Sequence, residues 1–368
     1  MSARFGPPWC SADTSLKISE MKIFRLVDVQ SARLVEFRHV DLGSLEYATL
    51  SYVWGGAVQN GLIQANLEGL QASVSLANLP KSIQDAICIT NELLIPFLWV
   101  DALCIIQDND EDKSVQVSNM GSIYANSIVT LVAATGQTAQ AGLPGVSSPR
   151  KHAQVPVTID NSGLEASSEL LTRLNPRNSP YIHPADTTIW ASRGWTFQEQ
   201  ELSTRLVYFL DEQILWSCAN DHRSEETHSE TLLAKVRWHQ NLNQPHLFEL
   251  RSRPSKNAHV WDVDRTWKTT VLDFTNRNLS FPGDALDAVS GALQFFQSVT
   301  GRGFLWGLPR KGFESNIHWS FLAQPNRRTC MTTLPSTSLN CRVRYPSWSW
   351  LGWEHFYMSW MPASWDSR

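Results

Sequence analysis

The sequence predicts an α/β protein built on a parallel β-sheet that is flanked by helices. Between residues 47 and 134, apolar segments of strand length alternate with segments of helical periodicity. This order is typical of parallel strands that are joined by right-handed crossovers. The predicted strands are mostly apolar, as expected of a buried parallel sheet. The chain has 368 residues and is 42% hydrophobic, so it can bury a sizeable core.

The first predicted strands are three short apolar segments. Residues 23–27 and 34–37 predict a strand pair, and residues 48–54 predict a strand of the parallel sheet. That strand ends at Gly55 and Gly56, where the backbone can turn freely.

The following elements complete a β-α-β-α-β order. A helix is predicted to begin at residues 78–80, because Asn and Pro there suit a cap and a first turn. Residues 97–105 predict the next strand. The acids of residues 108–112 predict the start of a second helix, since the helix dipole favours negative charge at that end.

The buried stripe of the second helix is expected to include Met120, Ile123 and Tyr124, and residues 127–134 predict a further strand. Residues 136–188 are polar and rich in Gly, Pro and Ser, which predicts an insertion with short strands such as 153–159.

The rest of the chain predicts a hairpin and a helical extension. Residues 206–210 and 213–218 flank two acids and predict a β-hairpin. Residues 261–301 are mainly helical in pattern. Residues 345–365 are rich in Trp and Ser and are expected to pack back on the core.

Three regions are therefore predicted. They are a loose N-terminal arm over residues 1–20, a core domain over residues 21–220, and a helical, Trp-rich extension over residues 221–368.

Composition limits the classes of function. The net charge is −4 and the pI is about 6.2, whereas a nucleic-acid-binding protein would usually show a basic patch. No apolar run is long enough to span a membrane, and the N-terminus lacks the apolar core of a signal peptide. The sequence predicts a cytoplasmic protein. Its six cysteines lie far apart, which predicts free thiols in a reducing compartment.

Three separated segments predict one site, namely residues 47–55, 98–108 and 193–199. The first two begin as apolar strands and then become polar or glycine-rich. Ligands of open parallel sheets bind where strands end at their carboxyl edge, so these segments are expected to form the walls of a binding site.

The same segments carry a family resemblance. The motifs are LSYVWG, LWVDALCIIQD, MGSIYANS and RGWTFQEQELSTR, and they continue as FPGDALDAVSG and YPSWSWLGW. Together they resemble the fungal HET (heterokaryon incompatibility) domain, from about Tyr47 to Trp353. Ile106 and Ser127 depart from the family, which often has Asn and Ala there. The resemblance implies a role in self/non-self recognition and programmed cell death.

HET domains are thought to be distant relatives of TIR domains, which implies a TIR-like sheet. Trp195 and Glu199 have the spacing of the TIR motif Trp-Cys-x-x-Glu. In NAD-cleaving TIR enzymes that Glu is catalytic, so the resemblance implies a catalytic Glu199. A carboxylate can stabilise the positive charge that develops when a glycosidic bond breaks.

The candidate catalytic residues are Glu199, Asp101 and Cys104, and each has a structural alternative. Glu199 could instead pair with Arg193 or Arg205. Asp101 lies in an apolar segment and must be paired or hydrogen-bonded if buried, so it could organise the motif. Cys104 would need a lowered pKa and a nearby base to act as a nucleophile, and otherwise is a buried structural thiol.

The candidate ligand-binding residues lie around these acids. Glycines let a backbone approach a phosphate or ribose, and Trp can stack on a base, although an ordinary strand-ending turn explains Gly55 and Gly56 equally well. The candidates are Tyr52, Trp54, Gly55, Gly56, Gln107, Arg193, Trp195 and Gln198.

Several other chemistries lack a motif. No Gly-x-Gly-x-x-Gly, P-loop or Gly-x-Ser-x-Gly sequence is present. Cys218, His222 and His228 do not have the spacing of a zinc site. We expect no metal and no required cofactor, with NAD as a candidate substrate.

Three classes of function stay open. The first is an enzyme that cleaves NAD or a related nucleotide, which would need Glu199 exposed in a pocket near Trp54 and Asp101. The second is a non-catalytic module that signals by self-association. The third is a HET-like fold recruited as an isomerase or cyclase of fungal secondary metabolism, since its 16 tryptophans could line an apolar cavity.

Overall fold

The computed structural model describes twelve parts of the chain. They are residues 21–39, 41–56, 61–150, 156–159, 168–171, 184–218, 221–225, 247, 260–321, 326–328, 345–355 and 358–360. The predicted N-terminal arm lies outside these residues.

The described chain contains strands in one large sheet and in four small pairs. The strands are β1 (Ile23–Asp28), β2 (Arg33–Arg38), β3 (Tyr47–Ser51), β4 (Phe97–Trp99), β5 (Val129–Ala133), β6 (Pro156–Ile159), β7 (Ser168–Leu171), β8 (Arg205–Phe209), β9 (Ile214–Cys218), β10 (Asp221–Ser224), β11 (Phe304–Leu305), β12 (Leu308–Pro309), β13 (Trp319–Phe321), β14 (Asn326–Arg327), β15 (Trp353–Glu354) and β16 (Met358–Trp360).

The α-helices surround the large sheet or build the C-terminal part. They are α1 (Leu67–Ala72), α2 (Lys81–Glu92), α3 (Asp101–Cys104), α4 (Asp110–Ser118), α5 (Met120–Asn126), α6 (Thr196–Leu202), α7 (Val260–Thr275), α8 (Asp287–Thr300) and α9 (Phe313–Asn316). Among the residues that the structure describes, none of the helices combines the length and the apolar character needed to cross a membrane.

The large sheet has eight strands in the order β10-β9-β8-β5-β3-β4-β1-β2. Its centre is parallel, because β3 pairs in parallel with β4 and β5, and β5 pairs in parallel with β8. Antiparallel strands complete both edges. The predicted α/β class and parallel centre are confirmed. The predicted strand pair and hairpin are also confirmed, and both extend the central sheet.

The prediction of a strand over residues 97–105 is wrong in its second half. β4 ends at Trp99, and Asp101–Cys104 form the short helix α3. The Asp101 carboxylate accepts a hydrogen bond from the Ala102 amide at 2.7 Å. The amide of Cys104 bonds the Val100 carbonyl at 2.8 Å. Because the backbone turns here, the strand alternation expected for Asp101 and Cys104 does not apply.

The second predicted helix is two helices. Asn109 caps α4 by accepting from the Asp112 amide at 3.0 Å, and the chain breaks at Asn119 before α5 begins. Met120, Ile123 and Tyr124 are buried as predicted, although they belong to α5.

The C-terminal part has its own aromatic core, which packs against the sheet domain. Trp267 of α7 makes edge-to-face contacts with Phe296 of α8 and with Trp350, at ring-centroid distances of 5.4 and 6.0 Å. Trp350 and Leu351 are fully buried in this cluster. The described portion of the Trp-rich end therefore packs against helices of the C-terminal part.

Two glycines allow α5 and α8 to approach closely. A Cβ atom on Gly291 would lie 2.5 Å from the Leu202 side chain and 2.9 Å from the Cα of Gly121. Leu202 is the last residue of α6, so this contact brings three helices together. Close packing here fixes α6, which carries Glu199, against the C-terminal part.

Replacing Gly291 with Ala should destabilise the protein by about 1–3 kcal/mol, because overpacking forces side chains or backbone to shift. Gly69→Ala is the matched control. Gly69 is also helical, but nothing lies within 4 Å of its would-be Cβ, so that change should be neutral or stabilise by about 0.5–1 kcal/mol. Urea denaturation of both variants measures the difference. Equal stabilities would contradict the proposed close helix contact.

Candidate functional site

The carboxyl ends of β3 and β4 bring the first two predicted segments together. Thr49 of β3 pairs with Trp99 of β4 in parallel register. Two residues later, β3 ends at Ser51 and α3 begins at Asp101. Helix α6 packs against α5 and supplies Glu199 from the third segment. The structure thus joins the three segments at one edge of the sheet.

The Glu199 carboxyl is held by a hydrogen bond from Ser51. The Ser51 hydroxyl donates to Glu199 Oε2 and accepts a hydrogen bond from the indole of Trp190 at 2.6 Å. Both Ser51 and Trp190 are fully buried, and Glu199 is 6% exposed. The Trp190 indole donates to the Ser51 hydroxyl oxygen. The proton of that hydroxyl is therefore available for donation to the Glu199 carboxylate.

The Asp101 carboxyl is also fixed by two donors. It accepts from the Ala102 amide at 2.7 Å and from the Trp54 indole at 2.7 Å. Trp54 is one residue before the exposed Gly55, and both Trp54 and Asp101 are half-buried. Asp101 therefore lies nearer the surface than Glu199.

Burial raises the pKa of both carboxyl groups. The pKa of Glu199 rises to about 7, chiefly because burial disfavours its charge, and the neighbouring Asp101 adds to the rise. The hydrogen bond from Ser51 and the charge of Arg193 act in the opposite direction. The pKa of Asp101 rises to about 6, again because of burial, against the hydrogen bonds from Ala102 and Trp54.

Arg193 lies near both carboxyls without pairing with either. Its positive charge lowers the pKa values of Glu199 and Asp101, but within the described residues its guanidinium forms no ion pair. Arg205, the other expected partner of Glu199, donates to the Ile128 carbonyl at 3.2 Å. Within the described residues, the alternative in which Glu199 forms a salt bridge with Arg193 or Arg205 is therefore not found. Glu199 is only 6% exposed, so the exposed position that the NAD-cleaving hypothesis required of it is not found.

Two tyrosines border the carboxyls. Tyr124 donates to the Leu50 carbonyl at 3.2 Å and also lowers the pKa of Glu199. Tyr52 is 5% exposed, and burial raises its pKa well above the ordinary value, with smaller contributions from the charges of Asp101 and Glu199. The Tyr52 hydroxyl lies close enough to Asp101 to affect its pKa, but by distance and angle it makes no hydrogen bond within the described chain.

Cys104 is a fully buried thiol behind this edge. Burial raises its pKa to about 12, and its sulfur accepts a contact from the Val100 amide at 3.4 Å. A thiol with such a pKa stays protonated at neutral pH, which favours its structural alternative over a nucleophile.

Hydrogen bonds to neighbouring parts of the protein hold the three remaining polar or aromatic candidates, which are Gln107, Gln198 and Trp195. The Gln107 amide donates to the carbonyls of Asp101 and Ile105, each at 3.0 Å. Gln198 accepts from the Gly291 amide of α8 at 3.3 Å. Trp195 donates to Asp284 at 3.3 Å, and burial raises the pKa of that Asp to about 6.

The glycine turn after β3 is shaped by a close contact. Gly55 has φ +68°, and a Cβ atom there would lie 2.4 Å from Thr138. Gly56 has φ +132° with open space around its would-be Cβ. Gly55 is therefore required by packing and backbone conformation.

Sequence reasoning missed Ser51 and Trp190. Ser51 belongs to the LSYVWG motif, but its hydrogen bond to Glu199 joins residues that are 148 positions apart in the sequence. The motif alone therefore does not reveal the role of Ser51. Trp190 is just outside the quoted motifs. The available signal was that a hydroxyl among buried strand residues needs a partner.

Glu199 should make the protein less stable as the pH rises. A folded-state pKa of about 7 lies above the ordinary value, so the folded state binds more protons between about pH 4.5 and 7. The free energy of unfolding then falls across this range. Glu199→Gln should remove the contribution of Glu199 to this decrease. The free energy of unfolding of the variant should therefore rise by about 1–3 kcal/mol relative to that of wild type between pH 5 and pH 8.

Urea unfolding at several pH values measures this gain. Glu68→Gln, at an exposed position of α1, is the control and should leave the pH dependence nearly unchanged. Parallel stability curves for wild type and Glu199→Gln would show that Glu199 is not a buried titrating group.

Comparison with known proteins identifies the region that holds the site. Residues 47–199 match the family described as "Heterokaryon incompatibility protein (HET)". No curated protein and no solved structure matches the chain. The matched region begins at β3 and ends at Glu199, so it includes Ser51, Asp101 and Arg193. Residues 47–199, which hold the site, are therefore similar to the heterokaryon incompatibility (HET) family.

Proposed function

We propose that this HET domain cleaves the glycosidic bond of NAD or a related nucleotide, with Glu199 as the catalytic carboxylate. One observation carries the proposal. Glu199 is held by Ser51 in a buried position beside a second carboxyl, and it forms no salt bridge with any residue that the structure describes. Strongly perturbed carboxyls at the carboxyl edge of a parallel sheet are typical of functional sites.

The chemistry requires stabilisation of positive charge. When the bond between nicotinamide and ribose breaks, its electron pair leaves with the nicotinamide nitrogen and the sugar becomes a cation. An ionised Glu199 stabilises that cation, because electrostatic attraction is strong where water is excluded. Water then adds to the sugar carbon and releases a proton to bulk water, so the products are neutral nicotinamide, the hydroxylated sugar and one proton. Nicotinamide leaves as a neutral molecule, so no acid has to protonate it.

Asp101 and Arg193 have distinct parts in this proposal. Asp101 adds negative potential beside Glu199, and its two hydrogen-bond donors keep it in place. Arg193 provides a positive charge at the half-buried rim. Substrate is expected to enter over Trp54, Asp101 and Arg193, because these side chains keep part of their surface exposed.

A HET protein with this activity would consume a central nucleotide after recognition of non-self. Loss of NAD would connect the domain to programmed cell death, which the family resemblance implies. The TIR-like spacing of Trp195 and Glu199 supports the same reaction.

The purified protein should release nicotinamide from NAD, as measured by chromatography. Glu199→Gln should reduce the rate by at least about 100-fold, because the neutral amide cannot stabilise the sugar cation. Glu201→Gln is the matched control, since Glu201 is a buried acid of the same helix two residues away, and it should keep most of the activity.

Two results would contradict the proposal. One is a complete lack of release at high protein concentration, which would favour a self-associating module or a different small-molecule reaction. The other is equal loss of activity in both variants with intact folding, which would remove the special role of Glu199.

A further inference from the structure

The Trp54 indole, which donates to Asp101, belongs to a turn that is held by a loop after the neighbouring strand β5. The loop is residues 135–146, here called the strap. The Ala139 amide of the strap donates to the Trp54 carbonyl at 3.3 Å, and the Ala139 carbonyl accepts from the Ser82 amide of α2 at 2.9 Å. One residue of the strap therefore joins the backbone of Trp54 to helix α2.

Close packing holds the same turn against the strap. A Cβ atom on Gly55 would lie 2.4 Å from the Thr138 side chain and 2.5 Å from the Thr138 Cα atom. The backbones of Gly55 and Thr138 are therefore in direct contact. A shift of the strap would move the turn that carries Trp54.

Asp85 of α2 anchors the far end of the strap. Its Oδ2 atom accepts from the Leu143 amide at 2.8 Å, and its Oδ1 atom lies 3.4 Å from the Lys81 ammonium. The Asp85 side chain is 3% exposed, and a buried carboxylate needs such donors. Gly142 has φ +77°, and a Cβ atom there would lie 2.8 Å from Asp85 Oδ2. Glycine at this position therefore allows the strap to reach the carboxylate.

An ordinary helix-stabilising role does not account for this carboxylate. The helix dipole favours acids in the first turn, but α2 begins at Lys81 and Asp85 lies beyond that turn. The Lys81 side chain is 36% exposed, and an ion pair with an exposed partner contributes little. The hydrogen bond from Leu143, by contrast, is made by a buried oxygen to a residue 58 positions along the chain.

We propose that Asp85 is a positioning residue of the site. It anchors the strap, the strap holds the backbone of Trp54, and the Trp54 indole thereby keeps its 2.7 Å hydrogen bond to Asp101. The inference rests on the proposed function for the part that Asp101 takes in the reaction. The path from Asp85 to Asp101 consists of hydrogen bonds and packing contacts within the described chain, so it can be tested without turnover.

The titration of Asp101 measures whether Trp54 stays in position. Carbon-13 NMR of protein labelled at aspartate carboxyls follows it, with Asp101→Asn to assign the signal. Burial raises the pKa of Asp101 to about 6, and the Trp54 hydrogen bond acts in the opposite direction. Trp54→Phe should therefore raise the midpoint by about one pH unit, because loss of a hydrogen bond to a charged group changes the ionisation constant about tenfold. Tyr52, Arg193 and Glu199 also interact with this carboxyl and stay unchanged in every test variant.

Two changes at the far end of the strap should act in the same direction. Asp85→Ala removes the acceptor of the Leu143 amide, and Gly142→Ala places a Cβ atom against Asp85 without altering any charge. Each should raise the Asp101 midpoint by about half as much as Trp54→Phe does. Loss of the Asp85 charge by itself would lower that midpoint, so a rise reports displacement of the strap.

Three further variants separate positioning from a general loss of stability. Asp85→Asn keeps a side-chain oxygen for the Leu143 amide and should keep the midpoint close to that of wild type. Thr90→Val changes another buried residue of α2, whose hydroxyl bonds the Ala86 carbonyl at 2.7 Å, and should leave the midpoint unchanged. Asp85→Ala combined with Trp54→Phe should shift the midpoint little further than Trp54→Phe alone, since both act through one hydrogen bond.

Two outcomes would overturn the inference. They are an unchanged Asp101 midpoint in folded Asp85→Ala and Gly142→Ala, and shifts that add fully when Asp85→Ala is combined with Trp54→Phe. If Asp85→Ala does not fold, Gly142→Ala alone gives the decision.

These outcomes are separate from a failure of the proposed reaction. If the midpoints shift as described but NAD is not cleaved, the positioning role of Asp85 stands and the proposed reaction falls. Cleavage of NAD with unshifted midpoints removes the positioning role alone.

Discussion

The hydrogen bond from Ser51 to Glu199 is the interaction on which the site depends. It joins the end of the central strand β3 to helix α6, across 148 residues of sequence. The Trp190 indole holds the Ser51 hydroxyl in place by donating a hydrogen bond to its oxygen. A carboxyl that is buried in this way needs a donor, since unpaired burial is costly. The hydrogen bond from Ser51 explains how an acid can be buried in an apolar core and still ionise near neutral pH.

The C-terminal part completes this arrangement, although the HET match ends at Glu199. Arg277, which is buried, donates to Gln200 of α6 at 2.9 Å and lies over the Phe197 ring at 5.1 Å. The Asn278 backbone forms hydrogen bonds with the backbone of Ser192 and of Gly194, on both sides of Arg193. Trp195, at the start of α6, donates to Asp284 beside α8. Helix α6 therefore has the sheet on one side and the C-terminal part on the other.

A chain of buried hydroxyls supports the same helix from the sheet. Thr130 lies 2.8 Å from the Thr49 hydroxyl and 2.6 Å from the Ser203 hydroxyl. Ser203 in turn donates to the Glu199 carbonyl. Ser127, where the family often has Ala, belongs to this network through a 3.3 Å contact with Thr49. The departure at Ser127 is thus accommodated by polar neighbours.

The sequence predicted the α/β class and the meeting of the three motifs, because apolar periodicity and strand polarity are local signals. The sequence did not predict features that depend on contacts between residues far apart in the chain. Asp101 begins a helix because its carboxylate bonds the next amide and the Trp54 indole. Glu199 is buried because Ser51, far away in the chain, supplies a donor. No pattern in one sequence indicates that Arg277 reaches α6.

The pKa of Glu199 itself is the most direct test of this account. Carbon-13 NMR of protein labelled at glutamate carboxyls, with Glu199→Gln to assign the signal, follows its titration. We expect a midpoint near pH 7, and a higher midpoint in Ser51→Ala, because the lost hydrogen bond stabilises the ionised form. A midpoint at the ordinary value of glutamate in wild type, unchanged in Ser51→Ala, would contradict a buried, serine-held carboxyl at the centre of the site.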